Sequence, residues 1–368
     1  MGPRSLALFG ALCCSCGACS STPTATADGG LTAGDLSFVQ SVTDLGALSM
    51  PAHVLGRDGA ASGLVGTQVL WTFDDTLMSQ PGADGLNYRT STAALGAPTG
   101  SITALTDTLD DAGAPVEFIP YSAAEAAYNF GPDGGPDNRI ALWPASVANL
   151  GGSSGSSYVV AFNRLHIYPG VLNYQPLGVG LATVMPGSTT ASRDPADLFV
   201  SPDPQYSLGG LVDGGTLYLY ACTSNGTLDT PCTVAEAPVA SAHQRSAYTF
   251  WDGNEWNPDA GAAATVFSGA PGDCSVSWNA HLGSYIAVHS QIFGNNIYLH
   301  TAPTPQGPWS APVLLFTAAA PGAGQSNDYA GKEHSELSSN GGQTIVVTYA
   351  HPLAAFSEEI RVVAVSLK

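Results

Sequence analysis

Short apolar runs recur along most of the chain, cut by Gly, Pro, Asn and Asp, and few stretches keep the 3.6-residue spacing of a helix. That pattern predicts strands joined by tight turns. Strands are expected together at Ser275–Asn279, Tyr285–His289, Asn296–Thr301 and Ala311–Phe316, the last reached through Gly307-Pro308-Trp309. A related group precedes them at Tyr206–Leu211, Thr216–Ala221 and Ser246–Trp251, with Trp256 beyond an Asp-Gly-Asn-Glu turn. Another follows at Glu336–Ser339, Thr344–Tyr349 and Glu359–Ser366, and two more groups fit within Val54–Ile119 and Ile140–Phe199. A small sheet cannot bury both faces alone, and stacking several about an axis solves that problem. The expectation is an all-β fold: a five-bladed β-propeller, one domain over 36–368, its last blade completed by the strand near Phe38–Val42. Irregular spacing and long insertions leave six blades or a sandwich open. A short helix is expected at Ala123–Tyr128.

Within the first group, Gly56-Arg57-Asp58-Gly59 and Val69-Leu70-Trp71-Thr72-Phe73-Asp74-Asp75-Thr76 read as two consecutive strands ending in carboxylates. Two carboxylates a hairpin apart suit cleavage of a glycosidic bond, one protonating the leaving oxygen and one activating water or attacking carbon. The competing reading is an Arg57–Asp ion pair with the other Asp capping a turn. Period-2 geometry places Val69, Trp71, Phe73 and Asp75 on one face and Leu70, Thr72 and Asp74 on the other, so Asp74 and Asp75 are not expected to enter one site together.

The N-terminus reads as a targeting segment, with Arg4 before the apolar run Leu6–Leu12 and then Cys13, Cys14, Cys16 and Cys19. Cys16-Gly17-Ala18-Cys19 resembles a bacterial lipobox, in which Cys19 becomes the lipidated first residue; Cys16 stands where Leu is usual, and an ordinary cleaved signal is the alternative. The expected division is a signal over 1–19 and a Ser/Thr/Pro/Ala/Gly tether over 20–35. The expected location is the cell envelope, lipid-anchored at the outer membrane or cell surface, or the secreted fraction. In an oxidising compartment Cys222 and Cys232, flanking a Ser-Asn-Gly turn, are placed to pair, leaving Cys274 as a small buried hydrophobe.

With 44% hydrophobic and 11% charged residues the chain can bury a large core. Its 29 acidic against 10 basic residues, a formal net charge of -19, argue against nucleic acid and anionic membrane surfaces as partners. A glycan partner is expected, membrane contact only through a lipid anchor, and a monomeric state. No His-Glu-x-x-His, EF-hand loop, phosphate-binding glycine loop or spaced Cys/His cluster appears, so no cofactor is expected, and any structural cation would be held by scattered residues at the propeller axis.

The hairpin segments, Ser246-Ala247-Tyr248-Thr249-Phe250-Trp251-Asp252-Gly253, Ile297–Ala302 with Gly307-Pro308-Trp309-Ser310, and Glu333-His334-Ser335-Glu336-Leu337 with Val346-Val347-Thr348-Tyr349 resemble domain of unknown function 4185. Some members of that family are assigned to glycoside hydrolase family 183, the endo-D-arabinanases. The resemblance implies a secreted propeller hydrolase of arabinofuranose polymers, with Asp58 and Asp75 matching the family's paired acids. The family usually has Gly where this chain has Asp74. A negative neighbour there would raise Asp75 and suit it to proton donation, or accompany a loss of catalysis. Such a loss would leave a non-catalytic surface lipoprotein propeller that binds glycan or protein.

Arg57 and Asp74 beside the acids are candidate substrate contacts, as are Arg164 and His166, which share a face if Phe162–Tyr168 is a strand. His334 and Glu336, two apart on an expected inner strand, suit sugar hydroxyls or a third carboxylate; a satisfied polar pair at a strand end is the plainer alternative. Trp71, Trp278 and Tyr329 are candidate sugar-stacking rings, or blade core.

Overall fold

The strands form antiparallel meanders that follow one another along the chain. The first meander is Ala61–Val65, Gln68–Phe73, Thr92–Gly96 and Leu105–Asp107; the second is Arg139–Gly151, Ser157–Ile167, Tyr174–Val184 and Ala191–Arg193. The third runs Leu208–Asp213, Thr216–Cys222, Pro231–Pro238 and Thr249–Trp251, and the fourth Ser275–Asn279, Ser284–Ser290, Asn296–Ala302 and Val313–Thr317. In the fifth, Tyr329–Glu333, Thr344–Ala354 and Ser357–Leu367 are joined by Val39–Ala47 from the start of the chain, antiparallel to Ser357–Leu367. The structure, a computed structural model, describes residues 30–151, 157–170, 173–224, 230–321, 324–325 and 327–368. The signal expected over 1–19, Cys19 included, and the tether as far as residue 29 lie outside the described residues.

The five largest hydrophobic clusters each sit between two meanders rather than inside one. Leu70, Val160 and Phe162 join the first to the second, Val159, Leu219 and Phe250 the second to the third, and Tyr220, Val234 and Val276 the third to the fourth. Val288, Leu299, Val347 and Val363 join the fourth to the fifth, and Trp71, Phe73, Val346 and Val362 bring the fifth back to the first. Burying such a side chain contributes about 1.5–3 kcal/mol, so these interfaces dominate the favourable side of folding. Close approach is managed locally: a Cβ on Gly180 would lie 2.2 Å from the tip of the Phe162 ring on the neighbouring strand, so glycine there makes room for that ring.

Several expectations shift. Residues 31–33, expected in the tether, belong to the folded body: Leu31 is fully buried and Thr32–Ala33 pair with Val313–Thr317. The inner strand of the fifth meander is Tyr329–Glu333, not Glu336–Ser339, since Ser335–Leu337 forms a 3-10 turn. Strand Pro231–Pro238, unmarked by the turn pattern, lies between Thr216–Cys222 and Thr249–Trp251, and a disulfide joins Cys222 to Cys232 across it. Cys274 is free and buried. The helix is Ala123–Asn129, opened by a capping box in which Ser122 accepts from the Glu125 amide and Glu125 from the Ser122 amide. No helix among the described residues is long and apolar enough to cross a membrane.

Candidate active site

The first hairpin is interrupted. Val54–Arg57 pairs with Thr76–Met78, and Ala61–Val65 with Gln68–Phe73, so Asp58-Gly59-Ala60 and Asp74-Asp75 face each other across a break in the ladder. The Asp74 amide donates to the Asp58 carbonyl (3.0 Å), while Gly59 and Ala60 take left-handed φ of 79° and 53°. A Cβ on Gly59 would lie 2.6 Å from Asp74 Cγ, so glycine here is a requirement of close approach as well as of backbone conformation. Alternation stops at Phe73, where the strand stops. Asp74 and Asp75 both add repulsion to Asp58, while Asp74 lies against Gly59 and Asp75 pairs with Arg139.

More distant elements complete the cluster. The Tyr329 hydroxyl lies 2.9 Å from Asp58 Oδ2 and 2.5 Å from Glu358 Oε2. A phenol has one proton to give, so both contacts are hydrogen bonds only when one carboxyl supplies its own. Lys332 Nζ donates to the Gly59 carbonyl and to Asp273 Oδ1, each at 2.7 Å, and Arg139 forms an ion pair with Asp75. Asp58 Oδ1, Asp74 Oδ1 and Asp75 Oδ1 are buried with no hydrogen-bond partner.

These surroundings separate the carboxyls electrically. Burial, then the charges of Glu358, Asp74 and Asp75, hold Asp58 well above the usual carboxylate range against the opposing Tyr329 hydrogen bond. Burial and Asp273 likewise lift Asp74, with Lys332 opposing, and burial lifts Glu358. Burial disfavours the Lys332 ammonium, but Asp273, Asp74 and Asp58 outweigh it and hold the group above its ordinary value. Asp58 and Asp74 are thus the carboxyls lifted furthest, with Glu358 also raised, whereas Asp75 pairs with a guanidinium.

The other candidates lie elsewhere. Arg57, expected at the substrate, is fully buried, paired to Asp107 (2.5 Å), donating to the Ser49 carbonyl (2.9 Å) and stacked 3.7 Å over Phe73. It braces the hairpin from behind. Arg164 is held by Asp197 (2.6 Å), and His166 lies 3.0 Å from the Tyr128 hydroxyl and 3.1 Å from Asn138 Oδ1. His334 and Glu336 converge on Ser62: the hydroxyl donates to Glu336 Oε1, so His334 Nδ1 (2.5 Å) donates to Ser62, and Nε2 (2.7 Å) accepts from Thr348. Burial lowers His334 to about 3, which keeps it neutral, and the trio clasps the fifth meander to the first. Trp71 is buried against His334, with ring centroids 4.5 Å apart.

Glu358, Asp273, Lys332 and Arg139 carry no local sign of their place here, since they come from turns and strand ends far apart in sequence. One signal is available: Lys332 is one of two lysines in the chain and lies beside the Glu333–Leu337 segment. Among the described residues no group of three or more His, Cys, Asp or Glu side chains is arranged to hold a metal ion.

Solved structures share this mostly β fold. A protein from Bacteroides ovatus, named provisionally as a hydrolase, aligns at TM-score 0.59 and 15% identity over 85% of this chain and 87% of its own. A GH43_1 enzyme from Xanthomonas citri aligns at 0.50 and 16% over 86% and 89%, and an α-L-arabinofuranosidase from Podospora anserina at 0.50 and 11% over 89% and 97%. At such identities the likeness concerns the fold alone. No curated protein matches the chain. In sequence, residues 187–350 match the family described as Domain of unknown function (DUF4185).

Proposed function

We propose that the chain is a five-bladed β-propeller glycoside hydrolase that cleaves arabinofuranosyl linkages within an extracellular or cell-wall polysaccharide. The circuit of apolar interfaces, each between successive meanders and the last returning to the first, supports five blades. The observation that carries the activity is the pair Asp58 and Asp75 at one break in a hairpin, in opposite electrostatic settings. A carboxyl held high by its surroundings beside one paired to a guanidinium suits an acid/base division of labour.

In this reading Asp58 is the general acid. As the bond from the anomeric carbon to the bridging oxygen breaks, that oxygen takes the Asp58 proton. Asp75, oriented by Arg139, either removes a proton from water attacking the anomeric carbon or attacks it directly, according to the carboxyl separation. Burial and the neighbouring carboxyls Glu358, Asp74 and Asp75 hold Asp58 high, and Lys332 offsets part of the charge that accumulates there. The net charge of -19 favours a neutral polymer. Lipidation at Cys19 would place the enzyme on the cell envelope. The test is digestion of a polysaccharide panel, arabinogalactan included, by the wild-type, Asp58→Asn and Asp75→Asn chains. Arabino-oligosaccharides from the wild type alone are expected; a folded wild type releasing no product would point to a glycan-binding propeller.

A further inference from the structure

Away from the acids, one aromatic ring suited to stacking on sugar stands at the surface. Trp278 sits near the end of Ser275–Asn279, and 49 % of it is exposed. Tyr285 packs edge-on against it, with ring centroids 5.0 Å apart, and Tyr285 is itself fixed by a 2.7 Å hydrogen bond to Asp213. The indole is therefore a held platform and not a loose surface side chain.

It borders a cleft of about 190 Å3 lined also by Asn279, Glu333, Ser335, Ser338 and Gly342. The walls are tied together: Asn279 Nδ2 donates to the Gly342 carbonyl (2.8 Å) and the His281 amide to the Gly341 carbonyl (2.7 Å). Glu333, only 7% exposed, accepts from the Ser338 hydroxyl (3.1 Å). The cleft opens beyond the acids, with Lys332 at the acids and the next residue, Glu333, at the cleft. Ser275–Asn279 begins just after Asp273 and ends at the cleft, and Tyr329–Glu333 carries Tyr329 at the acids and Glu333 at the cleft. At about 3.3 Å per residue Tyr329 and Glu333 lie on the order of 13 Å apart along that strand.

We propose that this cleft is a second carbohydrate-binding site, which seats one ring of a neutral polysaccharide on Trp278 and hydrogen-bonds its hydroxyls through Glu333 and Ser335. An exposed, immobilised indole beside a partly buried carboxyl and hydroxyls matches a sugar, which has an apolar C–H face and polar edges. Burial lifts Glu333 to about 7, so near neutrality its carboxyl both donates and accepts. The chain's acidity selects uncharged sugars. The site does not rest on the hydrolase reading, because its binding needs no turnover.

The test titrates the Asp58→Asn chain, which would leave ligand uncut, with neutral arabino- and xylo-oligosaccharides, following tryptophan fluorescence and saturation-transfer NMR. Saturable binding is expected, weakened about tenfold or more by adding Trp278→Ala and largely kept by Trp278→Phe. On an otherwise native chain, Trp278→Ala is expected to leave turnover of a small soluble aryl glycoside unchanged. Absence of saturable binding, or equal binding with Trp278→Ala in a chain of native circular dichroism, overturns the site. A native chain that cleaves nothing while Trp278-dependent binding persists overturns the hydrolase and leaves this site standing.

Discussion

Two clusters of charge in this molecule use the same residue types to opposite ends. In the second meander Glu125 and Asp197, each with a side chain only 8% exposed, meet Arg193 and Arg164: Glu125 at 2.5 Å from Arg193, Asp197 at 2.6 Å from Arg164 and 3.6 Å from Arg193. Charges there balance, and although burial would raise Glu125, hydrogen bonds from Arg193 and Ser122 hold it below its ordinary value. At the hairpin break Asp58, Asp74, Asp75, Asp273 and Glu358 share only Lys332 and Arg139, and acceptor oxygens remain without donors. The balanced network brings the helix onto the sheet. The unbalanced one holds its carboxyls together against their own repulsion, which is what supports the proposal that chemistry is done there.

Substitutions can break this contrast or sharpen it. The largest effect is expected from Asp58→Asn, a turnover loss of roughly 10^2–10^4-fold with the thermal midpoint kept, read by product release beside calorimetry. Next is Arg193→Met, which leaves Glu125 and Asp197 short of a partner and is expected to cost about 3–5 kcal/mol in denaturant unfolding. Gly59→Ala, which sets a methyl against Asp74 on left-handed backbone, should cost about 1–3 kcal/mol and lower turnover further than stability alone explains.

The smallest effect carries the most information. Asp74→Asn removes a carboxyl whose ionised form folding disfavours, and is expected to stabilise by about 1 kcal/mol near pH 7. The sign follows from linkage: a carboxyl raised on folding binds its proton more tightly when folded, so its penalty grows as pH rises above the unfolded value of about 3.9 toward the folded one. Below that window the variant and wild type should melt together. Glu125, lowered on folding, behaves oppositely, its contribution being lost as pH falls through its folded value. If Asp58 is the acid, the alkaline limb of the pH–rate profile should also move to lower pH in Asp74→Asn; an unmoved limb assigns the proton to another group.

The sequence is readable where structure is local. Turn punctuation marks most strands and the helix. Cys222 and Cys232 stand at a hairpin turn, and the structure joins them. Legibility fails where local pattern gives way to tertiary arrangement. Alternation assumes an unbroken strand and misses the break after Phe73, and Arg57 gives no sign that Asp107, not Asp58 or Asp75, is its partner. Glu358 and Lys332 reach the site from the fifth meander, roughly the whole length of the chain away, and only the return of that meander to the first brings them there.

The pairing of Val39–Ala47 with Ser357–Leu367 has a consequence for biogenesis. Synthesised from its N-terminus, the chain presents the early strand long before its partner exists, with an unpaired hydrogen-bonding edge and Val39 and Val42 uncovered. The final sheet closes only after the rest of the domain has been made, so this non-local pairing sets a slow last step during which the strand is open to misassembly with another copy. A cell that exports this chain would need to carry it unfolded, or shielded, until its last residues emerge.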